Sequence, residues 1–263
     1  MITLTTDLDE IYVAQMKGSI LSLRPDARVV DVSHDEARFD VRRASFSMMC
    51  AARAFPPGTI HVCVVDPGVG SVRRAVIADA GEALFVGPDN GVLTLPLSLY
   101  ERKRYFELDA AEVSGRTGRP VSRTFHGRDL FAPAAAMLDS GVGPEELGSK
   151  LYGIQLFPVL EPSLSGGRAR GTILFVDGFG NIVTNIPGDL LRAEEGQSLS
   201  LELGGKTFPL TSRSCYADSE PGELILLVGS QDTYEVSLNR ERAQSAVGGR
   251  EGDEISLVLE AQG

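Results

Sequence analysis

A chain of 263 residues with 43% hydrophobic content can bury a substantial core in one large or two modest domains. Its formal net charge of −11 argues against nucleic acid and anionic membrane surfaces as partners, since both call for basic patches. No apolar run approaches the roughly 20 residues of a membrane span, Met1-Ile-Thr-Leu-Thr reads as a strand start without a basic signal-peptide flank, and Cys50, Cys63 and Cys215 lack CxxC spacing, which together predict a cytoplasmic protein with buried free thiols.

Residues 2–6 read as a strand ended by Asp7. Apolar positions 13, 16, 20, 21 and 23 follow a helical period over 12–23, and Pro25 stops it. A second strand at 29–32 leads through the polar loop Ser33-His34-Asp35-Glu36 to a helix over 41–55, which Pro56-Pro57-Gly58 breaks. The run 61–65 is apolar and rich in β-branched residues, so it reads as a buried strand, followed by another at 75–79. This alternation predicts parallel strands with helical crossovers. Residues 84–86 followed by Gly87-Pro-Asp-Asn-Gly91 read as a hairpin or turn, 102–109 as a strand and 113–120 as a loop. His126-Gly127-Arg128-Asp129 introduces an alanine-rich helix through 138. Between Phe157 and Arg170 the composition shifts to Pro, Ser and Gly, and the segment 159–169 reads as a linker between a domain at 1–158 and another at 170–263. Short strands at turn-punctuated intervals fill the second domain, predicting a small antiparallel barrel or sandwich.

The stretch VVDPGVGSVRR at 64–74 holds the strongest candidate chemistry. A carboxylate, Asp66, stands at the exit of the buried strand, where ligands sit in open α/β sheets. Pro67 stiffens the turn, Gly68 and Gly70 permit backbone that other residues resist, and Arg73 follows seven residues after the acid. A tight turn closed by a surface ion pair accounts for the same residues. A phosphate cradle of Gly68, Gly70 and Arg73 is opposed by the acid at Asp66 and by the absence of GxxxxGK[ST]. Asp7 also reads as an acid favoured at a helix N-terminus, His126 as a structural histidine, and Asp177-Gly-Phe-Gly-Asn181 as a hairpin turn. With three histidines and no ligand spacing, no metal site is expected.

Taken in order, TTDLDEIYVAQMKG (5–18), VVDPGVGSVRR (64–74), FHGRDLFAP (125–133) and FVDGFGNIVTNI (175–186) resemble one family. It is that of the adenosine-forming S-adenosylmethionine (SAM) hydrolases, or SAM hydroxide adenosyltransferases, relatives of enzymes that fluorinate or chlorinate SAM. The resemblance implies an α/β N-terminal domain, with a mostly parallel sheet and flanking helices, followed by a small antiparallel β-barrel. It implies hydrolysis of SAM to adenosine and L-methionine by in-line attack of an activated water at C5′, with SAM as substrate and no cofactor. It also implies a homotrimer binding SAM between the N-terminal domain of one subunit and the C-terminal domain of the next. By the same resemblance, Asp66, Arg73 and His126 handle the water and Asp7 holds the ribose diol. Asp177 faces the methionine amine, Phe179 lies beside adenine, Asn181 contacts the nucleoside and Ser230 the methionine end.

Two positions depart from the family's pattern. The first motif is two residues shorter than the usual TDFG-x-x-D-x-YV, with Glu10 at the second acid and a side chain about one methylene longer. Gln231 follows Ser230 where halogenating relatives carry a carboxylate-binding arginine. A SAM-dependent halogenase and a non-catalytic SAM- or adenosine-binding module are the alternatives. Halogenating relatives place an aromatic residue at the Asp66 position, because a carboxylate repels halide, and lack the His126-Gly127 pair.

Overall fold

Strands β1 (Ile2–Thr6) and β3 (Thr59–Val64) are buried along their whole length, as expected of central parallel strands covered on both faces. They belong to a computed structural model of the chain that describes residues 1–260. Helix α1 (Glu10–Leu23) follows β1, then come β2 (Val29–Ser33) and α2 (Val41–Ala54), whose first turn is capped by the Asp40 carboxylate accepting from the Arg43 amide at 3.0 Å. After β3 the chain forms β4 (Ala75–Asp79), β5 (Ala83–Pro88), α3 (Thr94–Ser98), β6 (Arg104–Leu108) and α4 (Ala110–Thr117). A π-helical turn at Gly127–Phe131 runs into α5 (Ala132–Asp139), and β7 (Gly148–Leu151) completes the sheet. The strand order is β2-β1-β3-β5-β4-β6-β7, parallel from β2 through β5 and antiparallel from there on. Met16 and Ile20 of α1 pack with the alanines of α5 in one core over β1 and β3. The small alanine side chains let α5 lie close to both.

Residues 113–120, expected as a loop, instead supply most of α4. Asp109 caps it by accepting from the Ala111 amide, Val113 is its single buried residue, and Gly118 ends it at φ 67°. One buried apolar residue is too few to show a period, so the helix left no mark in the hydrophobic pattern. Asn90-Gly91 does turn the chain, but into α3; the hairpin in this region joins β4 to β5. All three cysteines are free, yet only Cys63 is buried, while Cys50 is half-buried and Cys215 exposed.

The second compact unit begins at Pro158. Within the stretch read as a linker, Ser163–Ser165 forms β8, which pairs with β9 (Arg168–Val176). Strands β10 (Ile182–Pro187), β11 (Ser198–Leu203), β12 (Lys206–Ser212), β13 (Leu224–Val228), β14 (Thr233–Leu238) and β15 (Glu254–Leu259) complete a barrel in the order β10-β14-β13-β12-β11-β15-β9, closed by β9 pairing with β10. Short helices α6 (Gly188–Leu191) and α7 (Ala243–Val247) lie between strands. The barrel is mixed rather than wholly antiparallel, because β12 and β13 pair in parallel. That geometry needs a crossing segment in place of a tight turn, and residues 213–223 provide it. Leu199, Leu201, Leu203, Val236 and Leu257 fill the interior at alternate positions. Among the described residues, no helix is long and apolar enough to cross a membrane.

His61 in β3 is buried, stacked on Phe85 with ring centroids 5.2 Å apart, and its Nδ1 shares a 2.8 Å hydrogen bond with the Thr3 hydroxyl. Burial lowers its pKa from 6.5 to about 4. Between those values the unfolded chain binds a proton that the folded chain refuses, so acid favours unfolding there. Stability should therefore fall as pH drops from 6.5 toward about 4, and His61→Gln should flatten that part of the profile in urea melts. Superimposable pH profiles for the two proteins would contradict this.

Candidate active site

Asp7 and Asp66 leave the same edge of the sheet. Thr6 and Val64 are register partners at the carboxyl ends of the parallel strands β1 and β3, so both acids emerge beside each other where α/β sheets place their ligands. The β3 exit is held from the side, since the Asn90 amide donates to the Val65 carbonyl at 2.9 Å. Gly70 then takes φ 75°, and a Cβ there would collide with the Arg123 carbonyl. Glycine at this position thus lets the loop approach the segment that leads to His126.

The turn returns Arg73 to the acid. Arg73 Nε donates to Asp66 Oδ1 at 2.9 Å, its Nη2 donates to Asp66 Oδ2, and the same Nη2 lies 2.7 Å from His126 Nδ1. Both charged side chains are nearly enclosed, at 10% and 5% exposure. A guanidinium has donors only, so Nδ1 of His126 must be the acceptor and the imidazole proton sits on Nε2. Burial, and then the charge of Arg73, lower the His126 pKa, against the opposing pull of Asp66 and Asp129. The imidazole is therefore neutral at pH 7. Phe131, fully buried at the end of the π-turn, stands edge-on to the His126 ring and lies 5.3 Å from the Arg73 guanidinium. Gly127 makes the π-turn's start possible, because a Cβ there would press on Met16, Phe125 and Val64 at 3.1–3.2 Å. Such π-turns recur at functional sites.

Asp7 is buried and commits one oxygen, Oδ2, to the Phe39 amide at 2.9 Å. It shares a cavity of about 880 Å³ with Glu10, His34, Glu36 and Arg38. Glu10, the first residue of α1, is exposed at its rim. Phe39 itself adopts φ 68°, a left-handed conformation uncommon for a large side chain, and Arg38 donates to the Asp7 carbonyl at 3.2 Å. Neither contact was legible in the sequence, since both come from a loop with no motif.

In the barrel unit, Asp177, Phe179, Asn181 and Ser230 line one cavity of about 770 Å³ with Tyr216 and Glu235. Asp177 organises the β9–β10 turn. Its Oδ1 accepts from the Phe179 and Asn181 amides, both at 2.9 Å, and its Oδ2 accepts from Asn181 Nδ2 at 3.0 Å. The turn leaves the Phe179 ring 80% exposed. Gly180, at φ 89°, backs against Arg242. Neither Tyr216 nor Glu235 stood out in the sequence: Tyr216 lies in a short turn without a motif, and Glu235, an acid alternating with apolar residues in β14, reads as a solvated position. Among the described residues, no group of three or more His, Cys, Asp or Glu side chains is placed to hold a metal ion.

The sequence matches the profile of the SAM hydroxide adenosyltransferase N-terminal domain over residues 2–148 and that of the corresponding C-terminal domain over residues 171–256. It is 37% identical to the (R)-S-adenosyl-L-methionine hydrolase of Thermus thermophilus, across 95% of this chain and 96% of that one. A fluorinase of an Actinoplanes species is 30% identical, with 86% of each chain covered. A solved structure of an uncharacterized conserved protein from Thermotoga maritima shares the fold with a TM-score of 0.89 and 34% identity, covering 98% of this chain and 100% of that one.

The Arg73 arrangement makes a spectroscopic prediction. Imidazole nitrogen-15 shifts should show His126 neutral at pH 7, with Nδ1 unprotonated and hydrogen-bonded and the proton on Nε2. Arg73→Ala should remove the Nδ1 shift and raise the apparent pKa. A doubly protonated His126 at pH 7 in the native protein would contradict the assignment.

Proposed function

The chain belongs to the SAM hydroxide adenosyltransferase family, and on that premise we propose that it hydrolyses S-adenosyl-L-methionine to adenosine and L-methionine, with Asp66, Arg73 and His126 directing the water. The observation that carries the reading is one guanidinium holding a carboxylate and a neutral imidazole at the exit of β3. The hydrolase relatives' names specify the (R) sulfonium, and the substrate class is taken from them.

The chemistry asks little of an acid and much of positioning. The sulfonium makes C5′ electrophilic, and methionine departs as a neutral thioether, so the leaving group needs no proton. The water oxygen bonds to C5′ as the C5′–S bond breaks and its electron pair passes to sulfur. The proton released goes to Asp66 and then to solvent. Arg73 fixes both oxygens of Asp66, so the carboxylate cannot turn away from the water, and the His126 Nε2–H is available to donate to the water oxygen. In-line placement of an otherwise weak nucleophile supplies much of the acceleration. Asp7 retains one oxygen not committed to Phe39 and is assigned to the ribose hydroxyls, with Glu10 as the second acid of that motif. Phe179 offers a flat apolar face to adenine, Asn181 an amide to the nucleoside, and Asp177 and Ser230 the methionine end.

A halide nucleophile fits this set poorly, because Asp66 puts negative charge where the anion would enter. A binding module needs no buried carboxylate–guanidinium–imidazole cluster at the reacting carbon. The ligand residues divide between two compact units, and we assign them to a homotrimer in which one subunit's N-terminal unit meets the C-terminal unit of the next. Three unpaired cysteines fit a reducing, cytoplasmic setting.

Chromatography of SAM incubations tests the reading. Wild-type protein should release adenosine and methionine in equal amounts. Asp66→Asn should lower kcat by roughly 10²–10⁴-fold with little change in SAM binding. Asp66→Asn mixed with Asp177→Ala should recover part of the lost activity, since some interfaces would join two intact halves. An inactive wild type would overturn the hydrolase assignment, and no recovery in a verified mixture would overturn the shared site.

A further inference from the structure

The loop after β2 carries a histidine that the proposed chemistry does not use. Leu4 pairs with Asp31 and Thr5 with Ser33, so β2 holds one extra residue beside the end of β1. Asp31 and His34 stand three positions apart, a spacing that in a regular strand would set them on opposite faces. The extra residue shifts that alternation, and the two side chains meet. His34 Nε2 lies 2.9 Å from Asp31 Oδ1, and Lys17 of α1 donates to Asp31 Oδ2 at 2.6 Å. The Nε2 contact is close but bent off the line of a full hydrogen bond. Burial works against the charge of Asp31, but the Lys17 and His34 contacts prevail and lower its pKa.

The other ring nitrogen reaches back to β1. His34 Nδ1 is 3.0 Å from the Thr6 hydroxyl oxygen, and the Leu8 amide donates to that same oxygen at 3.3 Å. The Asp31 carboxylate can only accept, which keeps a proton on Nε2 and, in the neutral ring, leaves Nδ1 to accept from the Thr6 hydroxyl. The Thr6 oxygen then keeps its lone pairs for the Leu8 amide, a turn closed by a threonine side chain. Asp7 is the residue inside that turn. Thr6 is fully buried, so its hydroxyl has no bulk water to fall back on. Lys17, Asp31, His34 and Thr6 thus form one chain of contacts that ends at the peptide following Asp7.

We propose that His34 is a positioning residue for Asp7: by accepting the Thr6 hydroxyl it fixes the turn from which the Asp7 carboxylate enters its cavity. This rests on the reading of SAM as substrate and of Asp7 as the acid that meets the ribose hydroxyls. The loop after His34 holds Asp7 by its side chain, through the Phe39 amide, and by its carbonyl, through Arg38. His34 holds the next peptide along. A carboxylate fixed at side chain and backbone gives up little freedom when its ligand arrives, which is where a preorganised site gains affinity. The ribose is unchanged by the reaction, so the effect falls on binding and not on the chemical step.

Calorimetric Kd and steady-state kinetics with SAM test this, together with amide hydrogen exchange at Leu8. His34→Ala, and Thr6→Val with its β-branched shape kept, should each raise KM and Kd about 5- to 30-fold and leave kcat near the native value. The double variant should be no worse than either single one, since both remove the same contact. His34→Asn, whose Oδ1 can stand where Nδ1 stood, should restore most of the affinity. In an Asp7→Ala background, His34→Ala should cost nothing further. Exchange at Leu8 should quicken in His34→Ala and Thr6→Val but not in His34→Asn. Losses in His34→Ala that add in full to those of Asp7→Ala, a fall in kcat at unchanged KM, or unaltered exchange at Leu8 would overturn the proposal. A wild type that leaves SAM intact would sink the hydrolase reading, and exchange at Leu8 would still decide whether His34 holds the turn.

Discussion

The guanidinium of Arg73 is the point on which the N-terminal site depends. It donates to both oxygens of Asp66 and to the imidazole of His126, and so sets the orientation of one group and the tautomer of the other. Removing one partner of a nearly buried pair leaves an uncompensated charge, at a cost of about 3–5 kcal/mol. Much of the surrounding backbone serves this contact. Asn90 holds the end of β3, Gly70 lets the loop close on the residue-123 segment, and Gly127 opens room for the π-turn that follows His126. The neighbouring Arg74 is fixed in turn by the buried carboxylate of Asp89, at 2.5 Å, so the strand after the loop is anchored as firmly as the strand before it.

The barrel solves a different problem. Its interior is apolar, and the polar groups that line its cavity sit on the outside, where a polar side chain would normally be screened by water. The crossing segment between β12 and β13 shields one patch of that surface, so Glu235 and Ser237 become buried polar groups that need partners. Tyr216 supplies a hydroxyl to Glu235, and Ser237 donates to the same carboxylate oxygen. On the opposite turn, Asp177 spends its oxygens on backbone amides, which fixes the loop that displays Phe179.

Most of the framework was legible in the sequence because it rests on local signals. The β-branched run before Asp66, the helical period in α1 and the change to short strands in the second half each record burial directly. The cluster of Asp66, Arg73 and His126 was legible only through motif order, since nothing local brings position 126 beside position 66. What escaped was long-range or weakly patterned. Helix α4 buries a single valine and shows no period. The parallel pairing of β12 with β13 depends on where an irregular segment crosses. The positive φ of Phe39, and the amide it turns toward Asp7, follow from tertiary packing that no local preference announces.

The central claim is that Asp66, Arg73 and His126 deliver water to C5′ of SAM. Turnover in oxygen-18 water tests it most directly, because the label records which bond forms. The account predicts label in the 5′-hydroxyl of adenosine and none in methionine, with the same outcome in excess chloride or fluoride. Label in homoserine with methylthioadenosine as co-product, or diversion to a 5′-halo nucleoside, would contradict it.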